Sequence, residues 1–266
     1  MAFYKNKGKF RQKSGGLLLL VKAEIAQHVT IFERKDKKPK IDRSVQKPYR
    51  FVNNELCADI LFFKLGKKIL THDVRFGVVY IPPEGSPFEK KDVFTDWENS
   101  LLLLEHESVC FPGDFNARTA ALNGTTTDGY SNNFDMPVET FEDIGGGGKS
   151  SSSLPRRVSQ DVVTSNIGFE MLDFCKTAGV LIVNASIWRC TCKNVSVVDY
   201  ALVSSDLFSL INEFTVLIFC ELYFDVHCPI VLKLNIMIVQ KTDLEQFDSP
   251  DVILCGWLGL KHQLTN

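Results

Sequence analysis

With 266 residues, 45% of them apolar, the chain is long enough to bury a sizeable core, either as one large α/β domain or as two small ones. Its formal charge of −2 conceals an asymmetry: residues 1–50 carry 14 Lys/Arg against 4 Asp/Glu, a net +10, so the rest of the chain carries −12. A basic lead suits a polyanion such as nucleic acid and an acidic body suits divalent cations, although a solvated lysine-rich arm explains the lead equally well.

In chain order, residues 1–14 are polar and basic and read as a disordered lead. Leu17–Val21 reads as a strand, followed by a short helical or extended piece through Glu24 and His28. Five apolar residues before Lys22 are too few for a secretory core, which needs about seven or more. The lysine-rich stretch Glu33–Arg43 suits a loop or hairpin tip. Strands are expected at Ile60–Leu65 and Arg75–Ile81, the second ending at Pro82-Pro83, which cannot continue a ladder. Between Lys90 and Glu107, Phe94, Trp97, Leu101, Leu102 and Leu104 fit one face of a helix.

The next strand delivers Val109-Cys110-Phe111-Pro112-Gly113-Asp114-Phe115-Asn116-Ala117-Arg118. Gly113 is expected to let the backbone bend. Alternation along an extended chain sends Asp114 and Asn116 to one side and Phe115 to the core. A carboxylate and an amide on one rim can hold a water and a phosphate oxygen together. Asp and Asn also commonly follow strands because their side chains bond turn backbone, so the stretch alone does not decide between the two.

Residues 122–160 form a polar, Gly/Ser-rich insertion. Gly145–Gly148 with Lys149 and Ser150 resemble a phosphate-binding loop, but Asp143 stands where that motif requires glycine and no buried strand leads into it. A flexible linker is the better account, and no nucleotide cofactor is expected.

Beyond it, Gly168–Gly179 reads as a helix with a glycine stop, and Val180–Val183 as a strand. Val195–Val203 reads as a buried strand with one carboxylate, Asp199, which needs a partner because an unpaired buried charge is costly. His227, after the expected strand Glu213–Phe219, is the candidate. The eight cysteines are scattered, several in apolar runs, as buried thiols of a reducing compartment are; Cys190-Thr191-Cys192 lacks zinc-knuckle spacing. The triplets at Asn123, Asn184 and Asn194 matter only in a secreted chain. Apolar runs such as Phe214–Cys220 and Ile230–Val239 fall short of the roughly 18 residues of a spanning helix. The expectation is therefore a soluble intracellular protein, nuclear or cytoplasmic, without a membrane partner.

Gly113-Asp114-Phe115-Asn116, Val198-Asp199-Tyr200 and His227-Cys228-Pro229, in that order and with Val79-Tyr80-Ile81-Pro82 upstream, resemble the endonuclease/exonuclease/phosphatase superfamily. Gly113–Arg118, Leu172-Asp173-Phe174-Cys175 and Ser196–Leu202 are most similar to the apurinic-type endonuclease domain of non-LTR retrotransposons. The resemblance covers about residues 14–235. It implies an α/β fold, a four-layer α/β/β/α sandwich of two mixed sheets, spanning about 15–240 and followed by a tail, 241–266, without an assigned role. It further implies Mg²⁺-dependent cleavage of DNA by a monomer, at a site where loops from both sheets meet. By the same resemblance, Asp114 activates or positions water and contacts the metal. Asn116 orients water and phosphate, His227 binds the scissile phosphate with Asp199 on its other ring nitrogen, and Tyr80 contacts the phosphate from the flank.

Two departures bear on activity. The family's first strand with Asn, and a second ending in Glu-Thr, precede the segment matching Ser14-Gly15-Gly16, so the chain reads as an N-terminally truncated copy lacking its first strand and helix and the metal-binding Glu. Val138-Glu139-Thr140, Asn53 and Glu55 are in the wrong places to replace them. Beside the histidine, the family's Ser-Asp-His is here Asp225-Val226-His227, and a one-residue shift turns a side chain to the opposite face unless a bulge restores Asp225 to the metal. Weak Mg²⁺ binding and impaired hydrolysis are the expectation. A catalytically inactive remnant that still binds nucleic acid is the alternative.

Overall fold

The computed structural model describes residues 2–6, 16–32, 49–51, 60–65, 74–101, 108–122, 159–184, 189–192, 195–219, 226–235 and 251–255. The lysine-rich stretch at 33–43, the Gly/Ser insertion at 123–158 and Asp225 lie outside the described residues.

A six-stranded mixed sheet organises the molecule, with strand order β3-β5-β6-β7-β9-β8 (Val29–Ile31, Ile60–Leu65, Val74–Tyr80, Ser108–Asp114, Asp199–Ser204, Val180–Ile182). β6 and β7 are parallel, and the other neighbours are antiparallel. Parallel neighbours need a crossover, which helix α2 (Val93–Leu101) supplies.

The strands are apolar on both faces because both are covered. Ile60, Phe62, Phe111 and Leu202 point to one side and pack with Trp97 of α2 and with Met171 and Phe174 of helix α3 (Asn166–Ala178). The Trp97 ring lies 4.5 Å from Phe174 and 4.9 Å from Phe111, centroid to centroid. The alternate residues Leu61, Phe63, Cys110, Ala201 and Val203 point the other way. They meet Leu17 and Leu19 of strand β2 (Gly16–Leu20) and Leu232 and Leu234 of strand β11 (Ile230–Asn235). Those strands belong to two smaller sheets, β2-β1-β4 (β1 Ala2–Asn6, β4 Tyr49–Phe51) and β10-β11-β12 (β10 Ile211–Val216, β12 Asp251–Cys255). The expected mixed α/β sandwich is present, and the described residues build three of its layers: helices, large sheet, small sheets.

Several expectations need correction. The lead is not wholly disordered: Ala2–Asn6 forms β1, antiparallel to β2, because Ala-Phe-Tyr can extend the leucine strand that follows. The tail holds β12, whose backbone pairs with β11. The strand expected at Val195–Val203 starts only at Asp199, since Val195 sits in a turn, 70% exposed. Gly113 does not bend the chain but lies within β7; a Cβ there would sit 2.1 Å from the Val79 carbonyl oxygen, so glycine admits the close approach of β6. Helix α3 ends at Gly179 as expected, and Ser165 caps its start by accepting from Gly168 N. Among the described residues, no helix is long and apolar enough to cross a membrane.

Candidate active site

Strand register does what sequence separation obscures. Tyr80 pairs with Asp114 across β6 and β7, and Asp114 pairs with Asp199 across β7 and β9. Residues opposite one another share a face, so these three form one row at one end of the sheet, on the side of the smaller sheets. Asp114 and Asp199 are buried and Tyr80 is partly exposed.

Asn116 completes the rim after β7. Its φ of 47° turns the chain and folds its amide back. The backbone N–H donates to Asp114 Oδ1 at 2.9 Å, and Nδ2 donates to Asp114 Oδ2 at 2.9 Å and to the Ile81 carbonyl at 2.8 Å. Phe115 is fully buried among the helix-side aromatics, as the alternation predicts. Asn116 therefore fixes the Asp114 carboxylate and ties β7 to the end of β6.

His227 arrives from the other sheet, three residues before β11. It is bridged to Cys192, and the next residue, Cys228, donates its N–H to the Thr191 carbonyl at 2.6 Å. Its Nδ1 lies 2.9 and 3.1 Å from the two Asp199 carboxylate oxygens, while Nε2 lies 3.6 Å from Asp114 Oδ2. An ionised carboxylate only accepts, so Nδ1 is the donor, and Nε2 is turned toward Asp114. Burial raises the Asp199 carboxyl above the ordinary range, opposed by the bond and charge of His227 and by a bond to Thr191.

Three residues of this network escape a sequence reading. Thr191 Oγ1, fully buried, accepts from Val198 N and Asp199 N, both at 3.0 Å, while its carbonyl holds Cys228. Asn184 acts as a substitute strand partner: Nδ2 donates to the Asp199 carbonyl at 2.7 Å and Oδ1 accepts from Ala201 N at 3.1 Å. Buried in this way, it is no glycan acceptor.

Asp161, 2% exposed, accepts from Arg118 Nε and Nη2 at 2.8 and 2.6 Å and from Val197 N at 3.1 Å, and so joins the turn after Asn116 to the segment before Asp199. Burial would raise its carboxyl, but the Arg118 and backbone bonds outweigh burial and hold it below the ordinary range. Only a polar residue beside two exposed valines marks it in the sequence. Ser165 adds a second tie by accepting from Arg118 N at 3.1 Å.

Asp114, Asp199 and His227 can each offer a donor atom such that all lie within 4.8 Å of one another, the only such group among the described residues. Their orientation restricts what they fit. Asp199 is turned to Nδ1, so among the described residues one carboxylate, Asp114, faces the Nε2 side. Mg²⁺ takes oxygen ligands, with one or two protein carboxylates completed by water and phosphate. Asp114 meets the lower end of that requirement. Val226, half-buried, occupies the position before His227.

No family model matches the chain, and no curated protein matches it. Among solved structures it is similar to the endonuclease domain of TRAS1, a telomere-specific non-LTR retrotransposon, at 14% identity and a TM-score of 0.43, over 80% of this chain and 80% of that one.

Proposed function

We propose that this chain is a non-LTR retrotransposon-derived endonuclease domain of the endonuclease/exonuclease/phosphatase superfamily, hydrolysing DNA phosphodiester bonds at a low rate. The observation that carries the reading is the Asp199–His227–Asp114 alignment: a buried carboxylate on Nδ1, and Nε2 and a second carboxylate facing one another across 3.6 Å. In this reading His227, its orientation fixed by Asp199, is protonated, and its Nε2–H donates to the scissile phosphate and stabilises charge developing on its oxygens. Asp114 draws the proton from the attacking water, and Asn116 holds Asp114 and orients that water. Tyr80 contacts the phosphate from the flank of the row. Mg²⁺, when bound, is held by Asp114 and supplies positive charge to the phosphate oxygens. Asp225 is not needed for this arrangement.

A second reading, an inactive nucleic-acid-binding remnant, draws support from Asp114 being, among the described residues, the one carboxylate on the Nε2 side. Nicking of supercoiled plasmid with Mg²⁺ separates the two. Slow nicking, lowered at least 100-fold by Asp114→Ala, is the expected result. Absence of nicking at every Mg²⁺ concentration removes the hydrolytic reading.

A further inference from the structure

Two arginines border the site and have no part in the chemistry above. At the site's end of the large sheet, Arg118 follows β7 and Arg189 lies between β8 and β9. Arg118 is pinned by both bonds to the buried Asp161, yet 32% of its side chain stays exposed. Arg189 is exposed and held through Nη1, which donates to the Val216 carbonyl at 3.2 Å. Arg118 lies four residues after Asp114, and Arg189 lies two residues before Thr191, whose carbonyl accepts from Cys228 N next to His227. A polyanion lying over the site therefore meets two guanidinium groups, one after β7 and one before β9.

A guanidinium held by part of its donor fork is pre-organised, and the donors it still presents lose little entropy on meeting an anion.

We propose that Arg118 and Arg189 form a phosphate track, each contacting one backbone phosphate of a nucleic acid strand next to the phosphate held at Asp114 and His227. The proposal rests on the phosphodiester reading for the identity of its ligand and adds where that ligand runs.

The test is binding of a short dye-labelled DNA duplex, read by fluorescence anisotropy across a salt series with chelator present, so that cleavage plays no part. Each neutralised phosphate contributes about 0.9 to the slope of log K against log salt. Arg118→Gln and Arg189→Gln should each flatten the slope by about 0.9, and the double variant by about 1.8. Arg118→Lys, which keeps the charge, should retain it. Lys176→Gln makes the same charge change at the far end of α3, about 16 Å along the helix from Ser165, and should leave the slope unaltered.

Unchanged slopes in folded arginine variants, an equal loss in Lys176→Gln, or no duplex binding by the parent protein would each overturn the track. If Arg118→Gln does not fold, Arg189→Gln decides. Flattened slopes without nicking remove the hydrolytic reading alone, and nicking with unaltered slopes removes the track alone.

Discussion

Asp199 and His227 meet from two sheets, and the sheets hold them by different means. On the six-stranded side, Asp199 sits in a central strand between β7 and β8. Its N–H is bonded to Thr191 and its carbonyl to Asn184, and the segment before it is tied through Val197 to Asp161. On the other side, His227 belongs to a short connection anchored by Cys228 N to Thr191 O and by Leu217 N to Pro229 O. It lies above a small core of Val216, Cys228 and Ile230. One half of the site is fixed from many directions, and the other is hung from a few backbone bonds. Val226 stands in the hung half, at the position before His227.

The sharpest way to break the fixed half is Gly113→Ala. With no space for a Cβ against Val79, β6 and β7 must separate where Tyr80 and Asp114 pair, at a cost of about 3 kcal/mol or more in chemical denaturation. Asp161→Ala should follow at about 3 kcal/mol, because it strands a partly exposed Arg118 and unpairs a buried N–H. The pH dependence has a definite sign. The folded Asp161 carboxyl lies below its unfolded value, so its stabilisation is complete above the ordinary carboxylate range and is lost as pH falls through the folded value. The gap between parent and variant should therefore narrow in acid. A gap that is constant with pH would mean that Asp161 acts through packing alone.

Asp199→Asn tests the junction between the halves. It leaves the fold in place but removes the anion that fixes the Nδ1–H tautomer, and nicking should fall on the order of 100-fold. Nitrogen NMR of His227 should show Nδ1 losing its proton in the variant while Nε2 keeps its own. Val226→Asp, in the hung half, should have the smallest effect, a gain of about 10-fold in nicking from a second carboxylate near the metal. No gain would mean that a second carboxylate beside His227 is not what limits the rate.

Much of the scaffold was legible from residue order. Ile60–Leu65 forms a strand at the expected bounds, and Gly179 ends α3 where it was expected to. The need of Asp199 for a partner followed from its apolar surroundings, and the His227 bond answers it. Other features resist a linear reading. That Tyr80, Asp114 and Asp199 form one row depends on register between strands more than 30 residues apart, and no local pattern encodes that register. Asp161 is one acidic residue after a polar insertion, and Thr191 one hydroxyl between two cysteines. Their importance arises only when distant backbone groups, buried and in want of partners, come to lie beside them.

The sequence by itself determined which residues could do chemistry and which segments would be strands or helices, because burial period and polar type are local properties. The tertiary structure alone decided that Asp199 turns toward His227 Nδ1 and that, among the described residues, Asp114 is the carboxylate on the Nε2 side. It also decided that Arg118 is fastened by Asp161 with part of its side chain still exposed. Orientation of this kind is set by packing between sheets, where side chains far apart in the chain compete for the same few buried hydrogen bonds.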